Sequence, residues 1–141
     1  MEKSAGIIII LNNNKLLLSH PTNARWSNTY SFPKGHIEEN ESQIEAAIRE
    51  LKEETSIEIT EDRIIDKEPI VVQYNDRKGK IYKEVYLYKV YINDISEIGL
   101  ESETLPKEML QIEELDWCGF LTKEEAKTKI FYRVEHLLNL I

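Results

Sequence analysis

The sequence predicts a mixed α/β (α+β) domain in which helices pack against a β-sheet of mixed strand direction. Three observations point there: β-branched or alternating apolar runs early and midway, a helical apolar period between them, and a second helical pattern at the end. The chain has 141 residues, 41% of them hydrophobic, with five glycines and four prolines, which suits a single domain over residues 1–141 built on one core.

Taken in order, Ile7 to Ile10 and "KLLLSH" (Lys15 to His20) read as two paired strands joined by the turn "NNN". The unbroken apolarity of the first implies burial on both faces. The stretch from His20 to Tyr30 is rich in turn formers and reads as a surface loop. In "ESQIEAAIRELKEETSI", Ile44, Ala47, Ile48 and Leu51 recur at helical spacing and define an inward face. "PIVVQY" and "KEVYLYKVYI" read as a hairpin around "NDRKGK", and "QIEELDW" (Gln111 to Trp117) adds a further strand. "TKEEAKTKIFYRVEHLLNLI" closes as a helix, with Thr122 and Glu125 matching a capping box.

A net charge of −8 repels a phosphodiester backbone and argues against nonspecific nucleic-acid binding. Cys118 is the single cysteine, so it forms no internal disulfide and suits a reducing compartment. The run "GIIIIL" is too short to span a bilayer, and no secretory leader pattern precedes it. These features lead us to expect a soluble cytoplasmic protein without a membrane partner, either a monomer or a homodimer.

The chemistry concentrates in the first helix. Glu50, Glu53 and Glu54 stand at i, i+3 and i+4 and so neighbour one another on one surface. Clustered carboxylates repel and raise one another's pKa values, an arrangement that favours a helix only where cations collect. Oxygen donors in this number suit Mg²⁺ or Mn²⁺, with substrate phosphates completing the coordination. From "RELKEE" alone, an ordinary solvated helix face is the favoured reading.

The wider spacing is more specific. Gly35, five residues, Glu41, seven residues, then Arg49, Glu50, Leu51, Lys52, Glu53, Glu54, Thr55, Ser56 and Ile57 resembles the Nudix box, with serine at the last glycine position. The resemblance implies an α/β/α sandwich and hydrolysis of nucleoside diphosphates linked to another moiety. It implies Glu50, Glu53 and Glu54 as metal ligands, Gly35 contributing its carbonyl, and Glu50 also accepting the attacking water's proton. Arg49 would orient the glutamates, and Glu41 would brace the network. A Ser56 held in the glycine's left-handed conformation would cost about 1 kcal/mol.

Outside the box, "SAGIII", "SFPKGHIE", "KEVYLYKV" and "ELDWCGFLTKEEA" are similar to the diadenosine-polyphosphate hydrolase branch. That likeness implies a small-molecule substrate of the dinucleoside polyphosphate type, with Lys34, His36 and Lys83 as phosphate contacts. Nucleoside triphosphates, nucleotide sugars, capped RNA ends and diphosphoinositol phosphates are the alternatives, as is a nonhydrolytic nucleotide sensor. Tyr74, Tyr82, Tyr86, Tyr88 and Tyr132 offer faces for a base, Tyr74 and Tyr132 foremost, and Trp26 lies in the polar loop. Some family members carry a further glutamate near position 111. Here Gln111 cannot take a proton, which leaves Glu108, Glu113, Glu114 or Glu50 itself.

Overall fold

The first strand, β1 (Glu2–Leu11), organises the sheet because both of its edges are paired. The computed structural model describes residues 1–25 and 27–141; Trp26 lies outside the described residues. Along one edge β1 runs parallel to β5 (Ile81–Ile92), from Glu2 opposite Lys83 to Leu11 opposite Ile92. Its other edge is divided. Ser4 to Gly6 pair with β3 (Lys34–His36), and Ile10 and Leu11 pair with β2 (Lys15–Pro21).

The fork between β2 and β3 is what positions the site. It depends on Gly6, where a Cβ would lie 2.4 Å from the Pro33 carbonyl oxygen and 2.7 Å from the Lys34 Cβ. Asn12 and Asn13, both left-handed (φ 52° and 60°), turn β1 into β2, a conformation that asparagine tolerates better than most residues. β4 (Ile70–Asn75) extends the sheet antiparallel to β5, and β6 (Leu115–Thr122) extends it antiparallel to β2. The strand order is β4-β5-β1-β2-β6, with β3 beside β1, a mixed sheet as the sequence predicts.

β1 is buried on both faces because a layer covers each. Ile7, Ile9 and Leu11 pack with Ala46, Ala47 and Leu51 of α1 (Gln43–Thr55). Ile8 and Ile10 pack on the opposite face with Leu16, Leu18, Val134 and Leu137. Each such apolar side chain contributes about 1.5–3 kcal/mol on burial, so the alternation along β1 anchors both layers. Tyr88 also sits in the α1 layer, its hydroxyl donating to Gln43 Oε1 at 2.9 Å, and the Tyr86 hydroxyl donates to Glu84 Oε1 at 2.7 Å.

Two elements differ from their sequence prediction. The strand expected from Gln111 begins at Leu115, because residues 111 to 114 form a turn closed by bonds from the Glu114 and Leu115 N–H groups to the Gln111 carbonyl. The single closing helix is instead α2 (Lys123–Lys127) followed by a 3₁₀ segment, Tyr132–Asn139. The predicted capping box at Thr122 and Glu125 is present. The helix breaks because the backbone turns to strand-like bonding: Tyr30 N–H donates to the Lys129 carbonyl (3.0 Å) and Phe131 N–H to the Tyr30 carbonyl (2.8 Å). Among the described residues, no helix is long and apolar enough to cross a membrane.

Candidate active site

Helix α1 carries the carboxylates because both of its ends are fixed and one face is buried. Ser42 Oγ accepts from the Glu45 N–H (3.1 Å) while Glu45 Oε1 accepts from the Ser42 N–H (2.8 Å), a complete capping box. At the other end Ser56 adopts φ 66°, the left-handed conformation anticipated for the residue standing in place of glycine. Its hydroxyl donates to the Met109 carbonyl at 2.7 Å, a bond no glycine makes.

Gly35 brings β3 against this helix. A Cβ there would lie 2.1 Å from Glu50 Cδ and Oε2, so the position accommodates no side chain while Glu50 keeps its place. Arg49 ties the acidic residues together. Its Nε donates to Glu41 Oε2 (2.6 Å), its Nη1 to Glu50 Oε1 and Glu53 Oε2 (2.9 Å each), and its Nη2 to the His36 carbonyl (2.8 Å) and Glu41 Oε1 (3.0 Å). The bonds from Arg49 hold the Glu41 carboxyl below the usual glutamate range.

Beyond this network lies a pocket of about 300 Å³, floored by Glu50, Glu53 and Glu54 and flanked by Lys34, Gly35, His36 and Lys83. Glu54 is only 7% exposed, and its Oε1 is buried with no hydrogen-bond partner among the described residues. Burial first, and then the Glu50 charge, push its carboxyl up to about 8, against the lowering effect of Lys34. Burial also raises Glu50, with Arg49 opposing it. Half-buried Lys34 is shifted downward, by burial first and by the charge of Lys83 second. Glu2 reaches Lys83 (3.3 Å) and His36 (3.5 Å) at the rim, and the His36 side chain is 71% exposed.

The structure thus gathers Lys34, Gly35, His36, Glu50, Glu53, Glu54 and Lys83 around one pocket, with Arg49 and Glu41 behind it. Gln111 and Glu114 also line it, and Glu114 is the one acid near position 111 that the fold turns toward the carboxylates. Among the described residues, no three histidine, cysteine, aspartate or glutamate side chains already converge as a metal site. Arg49 draws Glu50 and Glu53 to itself instead. The donor set still fits a hard divalent cation, through the Glu50, Glu53 and Glu54 carboxylates, the last with an orphaned oxygen, and the nearby Gly35 main chain.

A second, more apolar pocket of about 270 Å³ adjoins the first and shares Lys34 and Lys83 with it. Tyr74 and Phe131 wall it, their ring centroids 6.2 Å apart. Tyr132 does not line it. At 66% exposed it lies outside, edge-on to Phe131. Phe131 has no site signal in the sequence: it sits within a stretch that reads as helix, and only the break at residues 129 to 131 turns it inward.

A mixed sheet between two packed layers carries an acidic pocket backed by arginine and flanked by lysines, a charge pattern suited to a cation and an anionic group together. Residues 2–134 match the NUDIX domain family, and the chain belongs to that family. It is 33% identical over 63 residues to an 8-oxo-dGTP diphosphatase of Proteus vulgaris, covering 45% of this chain and 56% of the relative. It is 30% identical over 126 residues to the mRNA-decapping protein g5R of African swine fever virus, covering 84% of this chain and 51% of the relative. The chain therefore spans about half the length of these curated relatives. Among solved structures, a Caenorhabditis elegans Ap4A hydrolase in a binary complex superposes with a TM-score of 0.68 at 23% identity, covering 99% of this chain and 93% of that one. A MutT Nudix hydrolase from Burkholderia pseudomallei gives 0.71 at 16% identity, covering 99% and 97%. These structural likenesses establish the shared fold.

Proposed function

We propose that the protein hydrolyses a pyrophosphate bond in a nucleoside diphosphate-linked substrate, with a dinucleoside polyphosphate of the diadenosine tetraphosphate type as the leading candidate. The observation that carries this reading is Glu54: a nearly buried carboxylate, one oxygen unpartnered among the described residues, in a pocket that also holds Glu50, Glu53 and two lysines. A buried group of that kind is costly unless something cationic or a proton meets it. Mg²⁺, or Mn²⁺ in its place, held by Glu50, Glu53, Glu54 and the Gly35 carbonyl, would supply phosphate charge neutralisation and acidify water.

The chain's own residues divide the remaining work. Lys34 and Lys83, which flank the pocket, hold phosphate oxygens, and His36 meets the phosphate chain at the exposed rim. Arg49 fixes the Glu50 and Glu53 carboxylates, with Glu41 bracing it. Glu50 takes a proton from the attacking water as the hydroxyl adds to phosphorus. The P–O bond of the anhydride breaks, and its electron pair leaves with the departing phosphate. Tyr74, aided by Phe131, receives a base in the adjoining pocket. A cytoplasmic setting suits Cys118, a free buried thiol that burial shifts upward.

The likeness to a decapping protein favours a capped RNA 5′ end as the second substrate reading. A panel of dinucleoside tetraphosphate, nucleoside triphosphates, a nucleotide sugar, diphosphoinositol phosphate and capped RNA, each incubated with Mg²⁺, separates the readings. Preference for the dinucleoside tetraphosphate supports the leading one. Equal, slow product release by wild type and Glu54→Gln across the whole panel would remove the hydrolase reading and leave a nucleotide sensor.

A further inference from the structure

Outside the two pockets lies a shallow recess of about 630 Å³ lined by Asn75, Arg77, Tyr82, Tyr132 and Arg133, together with Asp76. Tyr82 and Tyr132 are both exposed there. Rings and cations alternate inward from its edge. Arg133 Cζ lies 5.1 Å from the Tyr132 centroid and 5.1 Å from the Tyr74 centroid, and Lys83 Nζ lies 5.3 Å from Tyr74. Arg133 is held in place by donating to the Asn75 side-chain oxygen (3.3 Å) and the Asn75 carbonyl (3.1 Å). Asp76, the one acid lining the recess, is occupied by the Lys78 and Lys80 N–H groups at 2.9 Å each. In a chain of net charge −8, a ledge of two arginines and two exposed tyrosines is a local reversal of surface chemistry.

Tyr74 and Phe131 wall the apolar pocket on one side and touch ledge residues on the other, Tyr74 with Tyr82 at 6.4 Å and Phe131 with Tyr132 at 4.9 Å. The ledge shares neither Lys34 nor Lys83 with the phosphate pocket. A ligand that reaches both therefore extends beyond its first base. We propose that the Tyr132–Arg133 ledge, with Tyr82 beside it, binds the second nucleobase of a dinucleoside polyphosphate by stacking, while the first base occupies the Tyr74–Phe131 pocket. This rests on the hydrolase reading above, and it makes the ledge the feature that selects two-base over one-base substrates. A flat ring on an exposed tyrosine beside a fixed guanidinium gains both stacking and cation–π attraction. The flexible phosphate bridge lets the second base fold back beside the first.

Isothermal titration with non-hydrolysable ligands tests it: a methylene-bridged diadenosine tetraphosphate, the one-base adenosine tetraphosphate with the same bridge, and a 5′-triphosphorylated adenosine dinucleotide. Tyr132→Ala is expected to weaken the two-base bridged ligand about 5- to 10-fold and the one-base ligand less than twofold, with Tyr132→Phe near wild type. Equal weakening of both bridged ligands, or of neither, overturns the proposal. A loss confined to the dinucleotide also overturns it and assigns the ledge to a nucleic-acid strand. Turnover of the parent compounds by wild type is measured alongside. Absence of turnover with the differential binding intact would remove the hydrolase reading alone, because the ratio is read without catalysis.

Discussion

Gly35 and Ser56 show how single backbone positions carry the site. At Gly35 a methyl group would sit on the Glu50 carboxyl, so Gly35→Ala forces either β3 or Glu50 to shift. We expect a loss of at least about 100-fold in kcat, since misplacement of about 1 Å has that effect. Far-UV circular dichroism should remain near native, and retained kcat would show that Glu50 does not act from its observed place. Ser56 holds a left-handed turn that glycine adopts without steric cost, yet its hydroxyl bonds to Met109. Comparing Ser56→Gly with Ser56→Ala removes the hydroxyl in both and isolates the conformational cost. The glycine variant should unfold at higher denaturant, by about 1 kcal/mol, and equal stabilities would show that the turn relaxes. Both residues were legible from the box spacing. The surroundings of His20 were not: read as the end of a strand and the start of a loop, it is fully buried near the end of β2, with Nδ1 2.6 Å from Asp116 Oδ1 and Nε2 2.9 Å from the Arg25 carbonyl. Its partners come from segments whose approach only the fold decides.

Among the elements, α1 is the most readable, because its apolar period, its cap and its acidic stripe all describe the same helix. The C-terminal segment is the least. Its capping box and apolar spacing favour a continuous helix locally, but pairing of residues 129 to 131 with Tyr30 outweighs them. Arg49 joins α1 to the β3–α1 loop through a fork that a lysine cannot reproduce. Arg49→Lys is therefore expected to lower kcat by about 10- to 100-fold, the range for residues that orient metal ligands, and an unchanged kcat would reduce Arg49 to a structural brace. Farther from the site, Glu97 caps the Ile95–Ile98 turn and pairs with Arg63 at 2.8 Å. Its bonds to Arg63 and to the Asn93 and Asp94 N–H groups hold its folded-state pKa below the ordinary glutamate value. The resulting stability is fully present above the unfolded pKa and is lost as pH falls through the lower folded value. Glu97→Gln should accordingly separate from wild type in urea unfolding at neutral pH and converge with it in acid. A constant difference at all pH values would assign the effect to packing.

For the whole molecule, the acidic surplus and the shape of the pocket have a common consequence. The mixed sheet, its covering layers and the acidic stripe follow from patterns along the chain and can be read from the sequence. The strand order, with β1 parallel to β5 and β3 beside β1, is instead set by long-range pairing that no local pattern marks. The second pocket and its ledge depend on β4, β5 and the C-terminal segment meeting at Tyr74, and no spacing in the sequence marks that junction. Within this frame Glu50, Glu53 and Glu54 place like charges together on a chain already at −8. Arg49 relieves Glu50 and Glu53 but leaves Glu54 Oε1 without a partner among the described residues. A divalent cation that binds the folded pocket and not the unfolded chain must then stabilise the fold by mass action. At a concentration about 100 times its Kd the gain is about 2.7 kcal/mol, which for a domain of this size raises Tm by about 5–10 °C. Thermal unfolding in Mg²⁺, with excess monovalent salt holding ionic strength constant, should show that rise for wild type, and Glu54→Gln should show much less. Equal shifts in the two proteins would mean that the ion screens the acidic surface without occupying the pocket, and the assignment of Glu54 as a ligand would fail.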